Sequence, residues 1–197
     1  MAGVPLQIDN LDNLEPLAPA PPVPRLPRRL HPGPVALIVK KRLSNKILDG
    51  DKTWELRGNQ IRKRGRALIA EAGAKGLIVG EVRVRQCVLV GLRVRSRSRR
   101  GEVSYMYRAP ALQPERLFTL PLNFGRHCLT EAEVSGIRYP TVYAWCMESP
   151  VRYPQPVRFN HVLGCTQWAP VGPEAVAEAD VQYQAATGNQ PWSRPAE

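Results

Sequence analysis

The chain has 197 residues, 43% of them hydrophobic, which fits one folded domain with extensions better than two full domains. It carries 28 lysines and arginines against 17 acidic residues, and its formal net charge of +11 indicates a polyanionic partner, nucleic acid first and an anionic membrane second. No apolar run approaches the roughly 20 residues that cross a membrane, and the N-terminus lacks a secretory signal, so the sequence predicts a soluble, cytoplasmic protein.

The first segment is rich in proline. Eight prolines lie from Pro16 to Pro34, with three arginines among them. This composition cannot continue a helix or an internal strand, so residues 1–33 are predicted to form an extended or disordered basic arm. The arm is either a passive tail or an additional electrostatic contact with a polyanion.

A strand and a short helix are predicted next. Ala36–Val39 is an uninterrupted apolar run, which is typical of a buried strand. Leu43, Ile47 and Leu48 then recur at helical spacing, and Gly50 is well suited to end the helix.

From Thr53 the pattern changes to alternation. Trp54 and Leu56 share one face of a predicted strand, while Thr53, Glu55 and Arg57 share the other. Glu55 and Arg57 are two residues apart, close enough for an ion pair, which alone can be purely structural. A charged strand face beside a helix end also predicts a cleft for a polar ligand.

Lys52 and Lys40 are the cations predicted to line this cleft with Glu55 and Arg57. Lys52 is either a ligand for a phosphate or carbonyl group, or a base if burial lowers its pKa, or simply a surface lysine at a turn. Glu55 can accept a hydrogen bond from the exocyclic amine of a nucleobase or act as a general base. Lys52 and Glu55 are therefore the candidate catalytic residues if the protein is an enzyme.

Arginines are concentrated on the following strands. A basic turn, Arg62–Arg66, leads into the predicted strand Ala67–Ala70, and Leu77–Arg85 is the next strand, with Val88–Arg95 as its hairpin partner. The arginines predicted to contact phosphates along this edge are Arg64, Arg66, Arg83, Arg85, Arg93, Arg95 and Arg97. The last three share a period of two with Arg99, so an extended segment presents them on one side. A solvated loop is the alternative.

The rest of the chain predicts short mixed elements. Residues 103–125 contain Tyr105 and Tyr107 and are predicted to be a loop. A short helix is expected over residues 130–136, with Thr130 and Glu133 forming a capping box.

Residues 141–147 predict a strand that Pro150 ends, and residues 154–168 contain one further strand. A helix over residues 173–186 is ended by Gly188. Trp145, on the strand face that also carries Tyr143 and Met147, is either a core residue or a platform for stacking a base.

Metal and cofactor motifs are missing from the sequence. The four cysteines are widely spaced and form no Cys-x-x-Cys pair, so we expect reduced, mostly buried thiols and no metal. Neither a phosphate-binding Gly-Lys loop nor a dinucleotide glycine pattern occurs, and no cofactor is expected.

Several of these segments together resemble the ASCH domain of the PUA-like superfamily. They are ALIVK, ILDGDKTWELRG, RGRALIAEA, GLIVGEVRV, YAWCMESPVRYPQPV and GCTQW, spread over residues 34–171. The resemblance implies an α+β fold, a PUA-like small β-barrel with flanking short helices, and a cleft associated with RNA or modified nucleobases. Some members are hydrolases that remove acetyl groups from acetylcytidine, and in those a threonine stands at the position of Glu55.

We therefore expect a basic arm over residues 1–33, an ASCH domain over residues 34–171, and a C-terminal helix with a frayed tail over residues 172–197. The expected function is binding of RNA or single-stranded nucleic acid, with a cleft for a base or modified nucleoside. Two alternatives stay open: a hydrolase in the same cleft, either an amidohydrolase or a ribonuclease, and a regulator that uses the domain for protein contacts. The sequence does not indicate an oligomeric state.

Overall fold

The structure is a computed structural model that describes residues 34–73, 76–97, 103–108, 123–162 and 164–191; the predicted proline-rich arm lies outside them. Seven strands and four helices are described. In chain order they are β1 (Val35–Lys40), α1 (Lys41–Leu48), β2 (Trp54–Arg57), β3 (Gly65–Ala72), β4 (Leu77–Arg97), β5 (Val103–Arg108), α2 (Phe124–His127), α3 (Glu131–Ser135), β6 (Thr141–Arg158), β7 (Trp168–Pro170) and α4 (Pro173–Thr187).

The strands form one mixed sheet. Six of them follow the order β2-β6-β4-β3-β1-β7, and β5 pairs with β4. β1 and β3 are parallel, and the other pairs are antiparallel. The expected α+β class is confirmed, but the predicted barrel is not closed: among the described residues no ladder joins β2 to β1 or β7. A side chain connects β2 to β1 across the gap in the sheet: Arg57 Nη2 donates to the carbonyl oxygen of Ile38 at 2.9 Å.

Two long strands replace a predicted hairpin. β4 runs unbroken through residues 85–88, so the prediction of Val88–Arg95 as a separate partner strand was wrong. No glycine, proline or asparagine occurs in residues 85–88 to form a turn. The pairing of β4 with β6 instead shifts register at several positions, as at β-bulges, and the strand continues. The hairpin partner of the far end of β4 is β5, within the segment predicted to be a loop.

Pro150 does not end its strand, contrary to prediction. Glu148 pairs with Arg83 and Val151 with Glu81, so Ser149 and Pro150 together lie opposite a single residue of β4. This two-against-one arrangement is a β-bulge, where proline is tolerated. Ser149 has a positive φ of 49°, as expected for such a distortion. β6 therefore continues to Arg158.

Both faces of the sheet are buried. Leu43 and Ile47 of α1 pack on the inner face against Val82 and Trp145, and Tyr183 of α4 belongs to a second cluster on the outer face. A third cluster is formed by Trp54, Leu56, Val90, Val142, Ala144 and Cys146. Trp145 and Met147 share the inner cluster, which confirms the strand face predicted for them, while Val142, Ala144 and Cys146 lie in the third cluster.

The predicted helix ends are also confirmed. α1 stops before Gly50, whose φ is +85°, and α4 stops before Gly188, whose φ is +72°. Thr130 and Glu133 form the expected capping box of α3. None of the described helices is both long and apolar enough to cross a membrane. All four cysteines are free thiols, with Cys146 buried and the other three partly buried.

Candidate nucleic-acid interface

A groove of about 400 Å³ opens on the sheet where β3 begins beside β4, and we call it the arginine groove. Its lining residues are Arg64, Gly65, Arg83, Val84, Arg85 and Glu148. Gly65 pairs with Val84, and Arg83 and Arg85 project from β4 on either side of that position. Because alternate residues of a strand point to the same face, both side chains lie on one solvent-facing surface.

The arginine groove is positively charged overall. Three arginines and one carboxylate line it. Glu148 Oε2 lies 3.1 Å from Arg85 Nη1 and Oε1 lies 3.8 Å from Arg83 Nε, whereas Arg64 Nη1 donates to the carbonyl oxygens of Ile61 and Lys63. The side chains of Arg83 and Arg85 are 59% and 72% exposed, so these ion pairs are strongly screened by water and weak, about 0.2–1 kcal/mol each. An incoming phosphate can therefore replace Glu148 as their partner.

Arg66 belongs to a different environment from its neighbours. It contacts Glu81, a fully buried carboxylate, through Nε at 3.0 Å and Nη2 at 2.7 Å. Its Nη1 reaches Asp180 of α4 at 2.5 Å, and Tyr153 donates to the same Glu81 oxygen at 2.5 Å. Burial alone would lower the pKa of Arg66, but its bonds to Glu81 and Asp180 raise it above the ordinary arginine value. This arrangement fixes α4 to the sheet.

Lys52 is almost completely buried, with 2% of its surface exposed. Its Nζ donates to the carbonyl oxygens of Trp54 at 2.5 Å and His127 at 2.8 Å, and lies 3.3 Å from Glu55 Oε2. Burial lowers the pKa of Lys52 below the ordinary lysine value, while the Glu55 carboxylate opposes that shift. The two hydrogen bonds to backbone carbonyl oxygens, together with the ion pair to Glu55, hold β2 against α2.

Glu55 and Arg57 form the predicted ion pair, with 2.9 Å between Oε1 and Nη2. Lys52, Glu55 and Arg57 therefore make one buried chain of charges along the opening of the sheet. Arg57 also lies over the Trp145 ring, 5.9 Å from its centroid. Lys40, the fourth residue predicted for this cleft, is exposed at the end of β1.

Trp145 is fully buried, and its indole Nε1 donates to the carbonyl oxygen of Asn59 at 3.0 Å. Its ring stacks on Trp168, with 5.4 Å between centroids and 13° between planes. The sequence reasoning singled out Trp145 and missed Trp168. β7 has only three residues, so it offers no periodicity, and the only available signal was an aromatic residue inside a motif that resembles the family.

The arginines at the far end of β4 are described only in part. Arg93 is partly buried, and its Nη1 lies 3.4 Å from the carbonyl oxygen of Arg138. Arg95 and Arg97 continue the strand opposite Tyr105 and Val103, but their side chains lie outside the described residues, as does Arg99 altogether. The extended conformation expected for this segment is confirmed as far as Arg97.

Histidines, cysteines and carboxylates are the side chains that most often ligate metal ions. Over the part of the chain that the structure describes, no group of three or more of them is arranged to hold a metal ion.

Comparison with known proteins supports the family resemblance. The family model of the ASCH domain matches residues 37–111, so the resemblance drawn from the sequence motifs is confirmed over this segment. The matched segment includes Lys52, Glu55 and Arg57 and the arginines of the groove, whereas Glu148 and Trp168 lie beyond it.

Solved structures of ASCH from Zymomonas mobilis are similar to this chain. Two single-substitution mutants have TM-scores of 0.49 and 0.47 at 13% identity, each covering 73% of this chain and 94% and 92% of their own. The unsubstituted protein has a TM-score of 0.41 at 16% identity, covering 81% of this chain and 87% of its own. The search of curated proteins gave no match.

Proposed function

We propose that this protein binds nucleic acid, RNA first, and that the arginine groove contacts the phosphates. The observation that carries the proposal is the convergence of Arg64, Arg83 and Arg85 on one open groove with a single carboxylate. The net charge of +11 supports it, because a basic protein attracts polyanions over its whole surface. The ASCH domain supports it as well, since the PUA-like class is associated with RNA.

The chemistry of the arginine groove suits a phosphate better than a neutral ligand. A guanidinium group presents a planar fork of donors that matches two phosphate oxygens. Glu148 holds Arg83 and Arg85 in place before a ligand arrives. Because these ion pairs are exposed and weak, a phosphate can displace Glu148 at little cost.

The test is fluorescence anisotropy of labelled single-stranded RNA, duplex RNA and single-stranded DNA across about 50 to 200 mM salt. Arg85→Ala is compared with Arg158→Ala, an exposed arginine at the other end of the same ladder. Arg158 lies opposite Leu77, about 25 Å along β4 from Arg85. We expect Arg85→Ala to lower the slope of log K against log salt by about 0.7 for a single strand.

The proposal fails if the protein shows no salt-dependent binding, or if the two arginine variants weaken binding equally. Equal weakening would mean that total charge, rather than the groove, determines affinity. Denaturing gels of the same mixtures test the hydrolase hypothesis, because a ribonuclease shortens the RNA strand. Since Lys52 donates to two backbone carbonyl oxygens and pairs with the Glu55 carboxylate, its geometry supports a role in holding the fold rather than in proton transfer.

A further inference from the structure

The side chains of Trp145 and Trp168 belong to a column of four stacked groups. Arg57 lies over Trp145, Trp145 stacks on Trp168, and Lys63 Nζ lies over the Trp168 ring at 5.9 Å from its centroid. Trp145 is fully buried, whereas Trp168 is partly exposed. Because Trp145 covers one face of the Trp168 ring, the Lys63 ammonium lies on the other face.

Trp168 packs on the inner cluster and is partly exposed, and the second side chain over its ring, that of Lys63, is long and flexible. Lysine has four rotatable bonds and can turn its ammonium toward a neighbouring anion while it stays beside the ring. The inner partner, Trp145, is held by the Asn59 carbonyl. Trp168 therefore has a fixed partner, Trp145, on one side of its ring and a movable one, Lys63, on the other. A surface that stacks an aromatic ligand needs both properties.

Trp168 packs on the inner cluster, whereas Arg83 and Arg85 flank the inward-facing Val84 and point to the opposite face of the sheet, so the ring and the groove are joined through the residues that lead into β3. Lys63, which lies over Trp168, is followed by Arg64 and Gly65, both of which line the groove. One short segment therefore joins a set of phosphate-binding side chains to an aromatic face. Phosphate and base alternate in the same way along a nucleic-acid strand.

We propose that Trp168 stacks an unpaired nucleobase of the strand whose phosphates occupy the arginine groove, and that Lys63 moves from the ring face to an adjoining phosphate. This inference rests on the proposed function and adds the class of ligand: single-stranded nucleic acid rather than a duplex. In a duplex the base faces are covered by neighbouring pairs, and stacking on an aromatic side chain requires an exposed face. Stacking of this kind tolerates every base.

The test compares wild type, Trp168→Leu, Trp168→Phe and Tyr139→Leu in binding a short single-stranded RNA and its duplex. Tyr139 is an exposed aromatic residue elsewhere on the surface, 38% exposed, and serves as the matched control. We expect Trp168→Leu to weaken single-strand binding about five- to a hundredfold. Trp168→Phe and Tyr139→Leu should stay near wild type, and duplex affinity should change little in any variant.

A second measurement guards against a variant that folds poorly. Single-stranded uridine oligomers are titrated into wild type and Trp168→Phe, and tryptophan fluorescence is followed. Stacking of a base quenches the indole it covers, so the wild-type signal should fall and most of that fall should be lost in Trp168→Phe while affinity is kept.

The outcomes separate the two proposals. If wild type binds RNA and Arg85→Ala weakens that binding, but Trp168→Leu binds like wild type and the quenching is unchanged in Trp168→Phe, the stacking proposal is overturned and the groove stands. Equal affinity of wild type for single strand and duplex also overturns it. If wild type binds neither, both proposals fall.

Discussion

Arg66 and Glu81 form an ion pair inside the sheet in which one carboxylate oxygen, Oε2, accepts from two guanidinium nitrogens and from the hydroxyl of Tyr153. Glu81 is fully buried. Its charge is therefore tolerated only while these donors stay in place. Arg66 was predicted to contact phosphates together with Arg64, yet the two residues lie in different environments.

Replacing Arg66 should consequently destabilise the protein. We expect Arg66→Ala to lower the free energy of unfolding by about 3–5 kcal/mol, because it leaves Glu81 buried without its charge partner. The measurement is urea denaturation, with Arg85→Ala as the control, which should change stability by less than about 0.5 kcal/mol. A stable Arg66→Ala variant with weakened RNA binding would instead assign Arg66 to the ligand.

Stability should also fall at high pH through Tyr153. Burial, followed by the adjacent Glu81 charge, raises the pKa of Tyr153 above its ordinary value of 10.0. A raised pKa means that the folded state holds its proton longer than the unfolded state, so the stabilising contribution is complete below pH 10 and declines as the pH rises beyond it. Unfolding curves at pH 8 and above pH 10 should show a steeper loss for wild type than for Tyr153→Phe. Parallel losses in both proteins would refute the prediction.

Removing the negative charge from the arginine groove should strengthen nucleic-acid binding. We expect Glu148→Gln to raise affinity about fivefold, since a unit charge about 4 Å away in water contributes about 1 kcal/mol. Glu174→Gln, which removes an exposed charge from α4, should have a smaller effect. Anisotropy at fixed salt measures both. Weaker binding by Glu148→Gln would show that the carboxylate itself contacts the ligand.

Substitution of Lys52 distinguishes a role in stabilising the fold from a role in catalysis or binding. Lys52→Met keeps most of the side-chain length but leaves two buried carbonyl oxygens without their donor and removes the ammonium partner of Glu55, which keeps its ion pair with Arg57. We expect a loss of about 2–6 kcal/mol in unfolding free energy, at about 1–3 kcal/mol for each unsatisfied carbonyl group. Lys46→Met, at an exposed lysine 3.9 Å from Asp51, should be close to neutral. Full stability of Lys52→Met together with lost turnover or binding would favour the enzyme hypothesis.

Local patterns in the sequence predicted most of the elements. The alternation at Trp54 and Leu56, the capping box at Thr130, and the helix ends at Gly50 and Gly188 all depend on neighbouring residues, and each is confirmed. The lengths of β4 and β6 were missed, because a bulge depends on the partner strand as much as on the strand itself.

For the candidate site, the sequence indicated which side chains share a strand face but not which residues they contact. Arg83 and Arg85, two residues apart on β4, both extend into solvent. The face of a strand on which a side chain lies does not identify its ion-pair partner. Nothing near Arg66 in the sequence indicates that Glu81, fifteen residues away, and Asp180, on the last helix, converge on it. Trp168 escaped prediction for the same reason, because its partners come from other strands and a loop.

The bulge at Ser149 and Pro150 determines which face of the sheet each later side chain of β6 points to. Before it, the odd-numbered Trp145 and Met147 point to the inner cluster; after it, the odd-numbered Tyr153 and Val157 point to the outer one. Deleting either bulge residue would turn the rest of the strand over, withdraw Tyr153 from Glu81 and remove the surface on which α4 rests. A change of one residue in chain length here would thus disrupt packing nearly thirty positions downstream, whereas the same change in a surface loop is readily absorbed.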